Sequence, residues 1–179
     1  MALVDRIKGI LLEPRAEWPK IAAEATSVQS LYTGWIMVLA AIGPIAMLIG
    51  YAGLGVPWAV RLAIGSYILT LAMSALLALI IDVLAPSFGG QKDFVASLKL
   101  VAYSSTVVWL AGIFHLLGIV AQLLMWVAAL YAIYTFFLGA PVLRKCTADK
   151  AIPFTLIVVL CAVGVYFIAG FAMGMRRPL

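Results

Sequence analysis

The sequence predicts an all-α, polytopic integral membrane protein: a five-helix transmembrane bundle preceded by an N-terminal interfacial amphipathic helix. Three observations predict it. Hydrophobic residues make up 66% of the 179 residues and charged residues only 11%, a balance that a soluble domain of this size cannot hide from water. The apolar residues gather into five stretches, which separate near Pro57, Pro86, Gly118 and the Arg144-Lys145 pair. These stretches are apolar on nearly every side, unlike the short alternating segments of a β-barrel.

The chain divides into an N-terminal interfacial segment (1–30), a membrane domain (31–175) and a short tail (176–179). In the first segment Leu3, Val4, Ile7, Ile10 and Leu11 recur at helical spacing while Asp5, Arg6 and Lys8 fall elsewhere. This makes a short amphipathic helix, expected to lie on the membrane surface. Pro14 breaks it. Trp18, set between charges in Glu17-Trp18-Pro19-Lys20, is a candidate interfacial anchor. Thr26 and Ser27 are positioned to cap the first span. No signal-peptide core precedes that span, so the span itself is expected to act as the targeting signal.

A hydrocarbon core roughly 30 Å thick takes about 20 helical residues. On that measure the spans are Leu31 to Gly53, Leu62 to Leu84, Leu98 to Val120, Leu123 to Leu143 and Ile152 to Met173. No charge falls between Lys99 and Arg144, which suits two spans joined by a tight turn near Gly118 to Gln122. Gly43-Pro44 is a candidate helix break in span one; it frees backbone carbonyls in mid-membrane, as at transporter sites or plain kinks. Lys and Arg number nine on the side of the amino terminus and the Pro86 and Arg144 loops, against three on the other, Arg176 and Arg177 included. That bias predicts a cytoplasmic amino terminus and an external carboxyl terminus. The net charge of +5 then reflects orientation and anionic headgroups; no basic patch interleaved with aromatics suggests nucleic acid. Cys146 and Cys161 fall too far apart for a structural disulfide to be indicated.

The most informative polar region is Asp82-Val83-Leu84-Ala85-Pro86-Ser87-Phe88-Gly89-Gly90 with Lys92, Lys99 and Tyr103-Ser104 after it. An ionised carboxylate in lipid is costly, so Asp82 should face protein, water or a cation. Pro86, Gly89 and Gly90 permit a sharp return, and Asp93 can cap the next helix. The fold-back is expected to bring Lys99 or Tyr103 to Asp82. Two readings stand: a clasp holding spans two and three, or a proton- or cation-responsive site.

These residues resemble a known family. Asp82 and Pro86 keep the first and last positions of the Asp-Leu-Tyr-Gly-Pro pattern of Yip1-domain proteins, and Tyr103-Ser104 matches its later Gly-Tyr-Ser element. Leu12-Glu13-Pro14 and Trp18 before the first span extend the likeness, which covers nearly the whole chain and is similar to a bacterial inner-membrane member. The resemblance implies five spans and a cytoplasmic amino terminus. Eukaryotic members are associated with Rab-type small GTPases and traffic between endoplasmic reticulum and Golgi. Here the amino-terminal region is very short, Val83-Leu84-Ala85 fills the motif and Ala102 replaces the later glycine, so a Rab partner is not carried over.

Weaker features read mainly as packing. His115 is the one histidine, without a carboxylate near it in sequence. Tyr131, Tyr134 and Thr135 form a polar stripe on span four. Met173, Met175 and Cys161 would be needed for a soft-metal path. Gly170-x-x-x-Gly174 is a close-packing motif and makes a homo-oligomer a candidate assembly. Catalytic sets and a phosphate-cradling loop are missing from the sequence; Gly89-Gly90-Gln91-Lys92 lacks the spacing. No enzyme activity and no cofactor are expected. Two function classes remain: a membrane organiser that recruits a cytoplasmic protein partner, and a small oligomeric transporter using Asp82, Lys99 and Tyr103.

Overall fold

The computed structural model describes residues 3–117, 119–145 and 148–174, with side chains described outside 119–122, 148 and 169–174. The expected turn at Gly118 to Gln122, Cys146, the Gly170/Gly174 pair, Met173, Met175 and the Arg176-Arg177 pair therefore lie wholly or by their side chains outside the described residues. Every element is helical, and the described residues contain no strand. Helix α1 (Leu3–Leu12) and helix α2 (Pro14–Ala23) form a hairpin. Five helical segments long and apolar enough to cross a membrane follow: Val28–Gly50, Val56–Phe88, Phe94–Leu117, Leu123–Arg144 and Ala151–Ile168.

The boundaries follow local chemistry. Ser27 caps the first span by accepting from the Ser30 amide at 3.1 Å, and Asp93 caps the third by accepting from the Ala96 amide at 3.0 Å, each satisfying a donor that helix geometry orphans. Span two starts at Val56, earlier than the sequence suggests. Pro57 occupies its first turn, where the missing N–H costs nothing, so this proline opens the helix instead of interrupting an approach to it. Pro14 likewise opens α2.

Span one is interrupted twice, by a π-helical stretch at Tyr32–Ile36 and a turn at Ala41 before Pro44. At that second break Gly43 lies against Gly112 of span three. A methyl added to Gly112 would come within 2.7 Å of the Gly43 Cα. The Gly43-Pro44 interruption thus serves a backbone-to-backbone crossing of two spans.

Span three is the centre of the bundle. Ala96 through Ser104 are all buried, and Leu98 and Leu100 join Ile36, Ile81 and Phe154 in the core. The hairpin is docked on the bundle. Ile10 of α1 and Trp18 and Ile21 of α2 belong to the same core, so much of the apolar face of the pair is spent on protein, with Val4 and Leu12 left exposed. Trp18 is not the exposed anchor expected from its charged neighbours: it is 2% exposed. Gly139 of span four provides its seat, since a Cβ there would sit 2.5 Å from the indole.

Candidate functional site

Two ionic clusters occupy one end of the bundle. The first closes the turn between spans two and three. Asp82, at the last turns of its helix, accepts from the Asp93 amide at 2.6 Å and from Arg144 Nη2 at 3.3 Å. Arg144 reaches across from the end of span four; its Nη1 donates to the Asp93 carbonyl at 2.6 Å and its Nη2 also to the Gln91 carbonyl. A planar, forked guanidinium suits this, because it can serve a carboxylate and two carbonyls at once. Arg144 is 1% exposed, so the attraction acts with little screening.

The motif residues make room for that grip. Pro86 starts a 3-10 turn at Ala85–Phe88, Gly89 follows at φ 81, and its amide donates to the Pro86 carbonyl at 3.1 Å. A left-handed φ of this kind suits glycine. Gly90 passes so close to the Arg144 carbonyl that an added Cβ would lie 2.5 Å from it. Phe88 packs against Phe154 with ring centres 5.3 Å apart and planes tilted by 59°, tying the turn to span five.

The second cluster docks the hairpin. Arg6 is 3% exposed and donates to Glu17 Oε1 at 2.5 Å and to Glu24. Lys20 reaches the other Glu17 oxygen at 2.9 Å. The Arg6 guanidinium lies 6.0 Å from the centre of the Tyr103 ring, at the outer range of a cation–π contact, and Tyr103 in turn packs on Trp35 at 4.9 Å. Lys99 donates to the Ile21 carbonyl at 2.8 Å and to the Glu24 carbonyl, which occupies the open carbonyls at the end of α2. At the far end of the hairpin Tyr131 donates to the Leu11 carbonyl at 2.8 Å.

The residues singled out from sequence are therefore divided. Asp82, Pro86, Gly89 and Gly90 come together as one turn. Lys99 and Tyr103 serve the hairpin instead of meeting Asp82, whose partner is Arg144. Ser104 turns its hydroxyl onto its own helix, donating to the Leu100 carbonyl at 2.6 Å. Thr135 is buried and donates to the Ala132 carbonyl at 2.9 Å, whereas Tyr134 is exposed. His115 sits apart, its Nδ1 3.4 Å from the Tyr51 hydroxyl. Arg144, Arg6, Glu17 and Glu24 were missed. The signals were present: Arg6 lies three or four positions from Leu3 and Ile10, on the buried face, and Arg144 ends the long uncharged stretch.

Among the described residues no group of three or more His, Cys, Asp or Glu side chains is placed to hold a metal ion. One cavity of about 640 Å³, open at the side where Val163 and Phe167 are exposed, lies between spans two to five and is walled mainly by apolar side chains. Such a molecule is a multi-pass helical membrane protein with charged clusters that join helices at one end. The Yip1 domain matches residues 8–171, and the chain belongs to the Yip1-domain family. No curated protein and no solved structure matches the chain.

Proposed function

We propose that the protein is a non-catalytic membrane organiser whose docked hairpin and neighbouring loops form a cytoplasmic face for a protein partner. The supporting observation is the Arg6 cluster. It fixes α1 to α2 and, through Lys99 and Tyr103, to span three, and leaves Asp5 and Lys8 exposed on a rigid frame. A surface helix serving only as an anchor would need its apolar face for lipid, yet Ile10, Trp18 and Ile21 of that face are used within the protein. The excess of Lys and Arg at this end favours its cytoplasmic placement.

The Asp82 turn is read as a clasp: its carboxylate is engaged by Arg144 and a backbone amide. Transport gains nothing from this geometry, because Lys99 is bound to two carbonyls and the cavity is apolar.

Two measurements test the proposal together. A photo-crosslinking residue at exposed Ala22 or Ala23 should join the hairpin to one recurring protein in native membranes, and Arg6→Ala should reduce that product more than fivefold. Proteoliposomes should show no proton or cation flux. Flux lost in folded Asp82→Asn, or crosslinking indifferent to hairpin docking, overturns the proposal.

A further inference from the structure

We propose that the apolar cavity between spans two, three, four and five is a lipid site that holds an acyl chain of an anionic phospholipid, with the headgroup on Lys92, Lys145 and Lys150. The cavity lies within the membrane-spanning segments. Along span two its wall runs from Thr70 to Ile81, about 17 Å of helix. That matches one leaflet, half of a hydrocarbon core about 30 Å thick. Ile81 precedes Asp82, so the occupied leaflet is the one facing the charged end.

The wall chemistry selects an alkyl chain. Thr70 donates its hydroxyl to the Ser66 carbonyl at 2.8 Å and Ser104 donates to the Leu100 carbonyl at 2.6 Å. Both donors are consumed within their own helices, leaving mainly hydrocarbon for a guest. A chain of waters would need two to four polar partners each. Ala129, Ala132 and Ala162 give width where larger side chains would fill the space.

Complementary charge stands beyond the Ile81 end of the cavity, in loops at the same end of the bundle. Lys92 stands in the loop that leaves span two, and Lys145 and Lys150 flank the loop that enters span five; all three are exposed. Asp149 lies among them, leaving the group net positive.

The test uses the full chain in nanodiscs containing either phosphatidylglycerol or phosphatidylcholine, each with a diazirine on one acyl chain. After illumination, labelled peptides are mapped by mass spectrometry. The expected result is labelling of the wall residues Val101, Ser104, Val108, Val158 and Ala162 at least fivefold above that of the lipid-exposed positions Leu130 and Leu160. Phosphatidylglycerol should outdo phosphatidylcholine at least threefold. Ala132→Phe, which fills the cavity, should remove the excess while Leu130 and Leu160 label as before. If that variant does not fold, the two-headgroup comparison on the native chain decides. Wall labelling no stronger than at Leu130 and Leu160, equal labelling by both lipids, or chain-to-chain crosslinks through Trp109 in place of label overturns the proposal.

Discussion

Arg6 and Glu17 are a buried ion pair, with side chains 4% and 3% exposed. Removing Arg6 leaves the buried Glu17 carboxylate with only the half-exposed Lys20, and breaking a buried pair costs up to about 3–5 kcal/mol, whereas apolar replacement of both partners is often neutral. Arg6→Met should therefore lower stability by about that amount in reversible denaturation in detergent, and Arg6→Met with Glu17→Leu should recover most of it. Failure of the double variant to recover would mean that the pair specifies the docking geometry. Arg144 makes a similar point about side-chain shape. Arg144→Lys keeps the charge but cannot reach the Asp82 carboxylate and the Gln91 and Asp93 carbonyls together; the loop at 85–93 should exchange its amides at least tenfold faster, read by hydrogen–deuterium exchange. Asp82 was legible because a carboxylate at a span's edge must be satisfied. Its partner was not, because Lys99 is nearer in sequence, whereas Arg144 arrives from 62 residues away.

At the scale of elements, the five spans were legible from length and polarity because a membrane core imposes both. The helix starts at Ser27 and Asp93 were legible from capping chemistry. The docking of α1 and α2 was not. Amphipathicity states that one face is apolar and leaves open whether lipid or protein covers it, and the seat for Trp18 is a glycine 121 positions later. That seat gives a sharp test. Gly139→Ala places a methyl into the indole, and overpacking of this kind typically costs about 1–3 kcal/mol. Trypsin cleavage after Arg15 and Lys20 should rise more than tenfold, and Trp18→Leu in the same chain should restore protection. Gly112→Ala should act elsewhere, forcing apart spans one and three at Gly43 and lowering the thermal midpoint without exposing the hairpin.

For the molecule as a whole, the long second span sets the level of the membrane. Residues 62–81 carry no charge between Arg61 and Asp82; these 20 residues measure about 30 Å, the thickness of the hydrocarbon. Its first and last turns therefore stand among the headgroups, with the Asp82 turn at their level. Against that frame the tip of the hairpin is deep. The Leu11 carbonyl meets Tyr131, 13 residues along its helix from Arg144, or about 20 Å. Glu13 and Arg15 lie two and four residues past Leu11 and are exposed, and charges of this kind do not rest in hydrocarbon without water or headgroups descending to them. The bilayer on this flank is therefore expected to dimple inward. In a membrane of uneven thickness the energy of mismatch would then draw the protein, and any neighbour with short spans, toward thin ground.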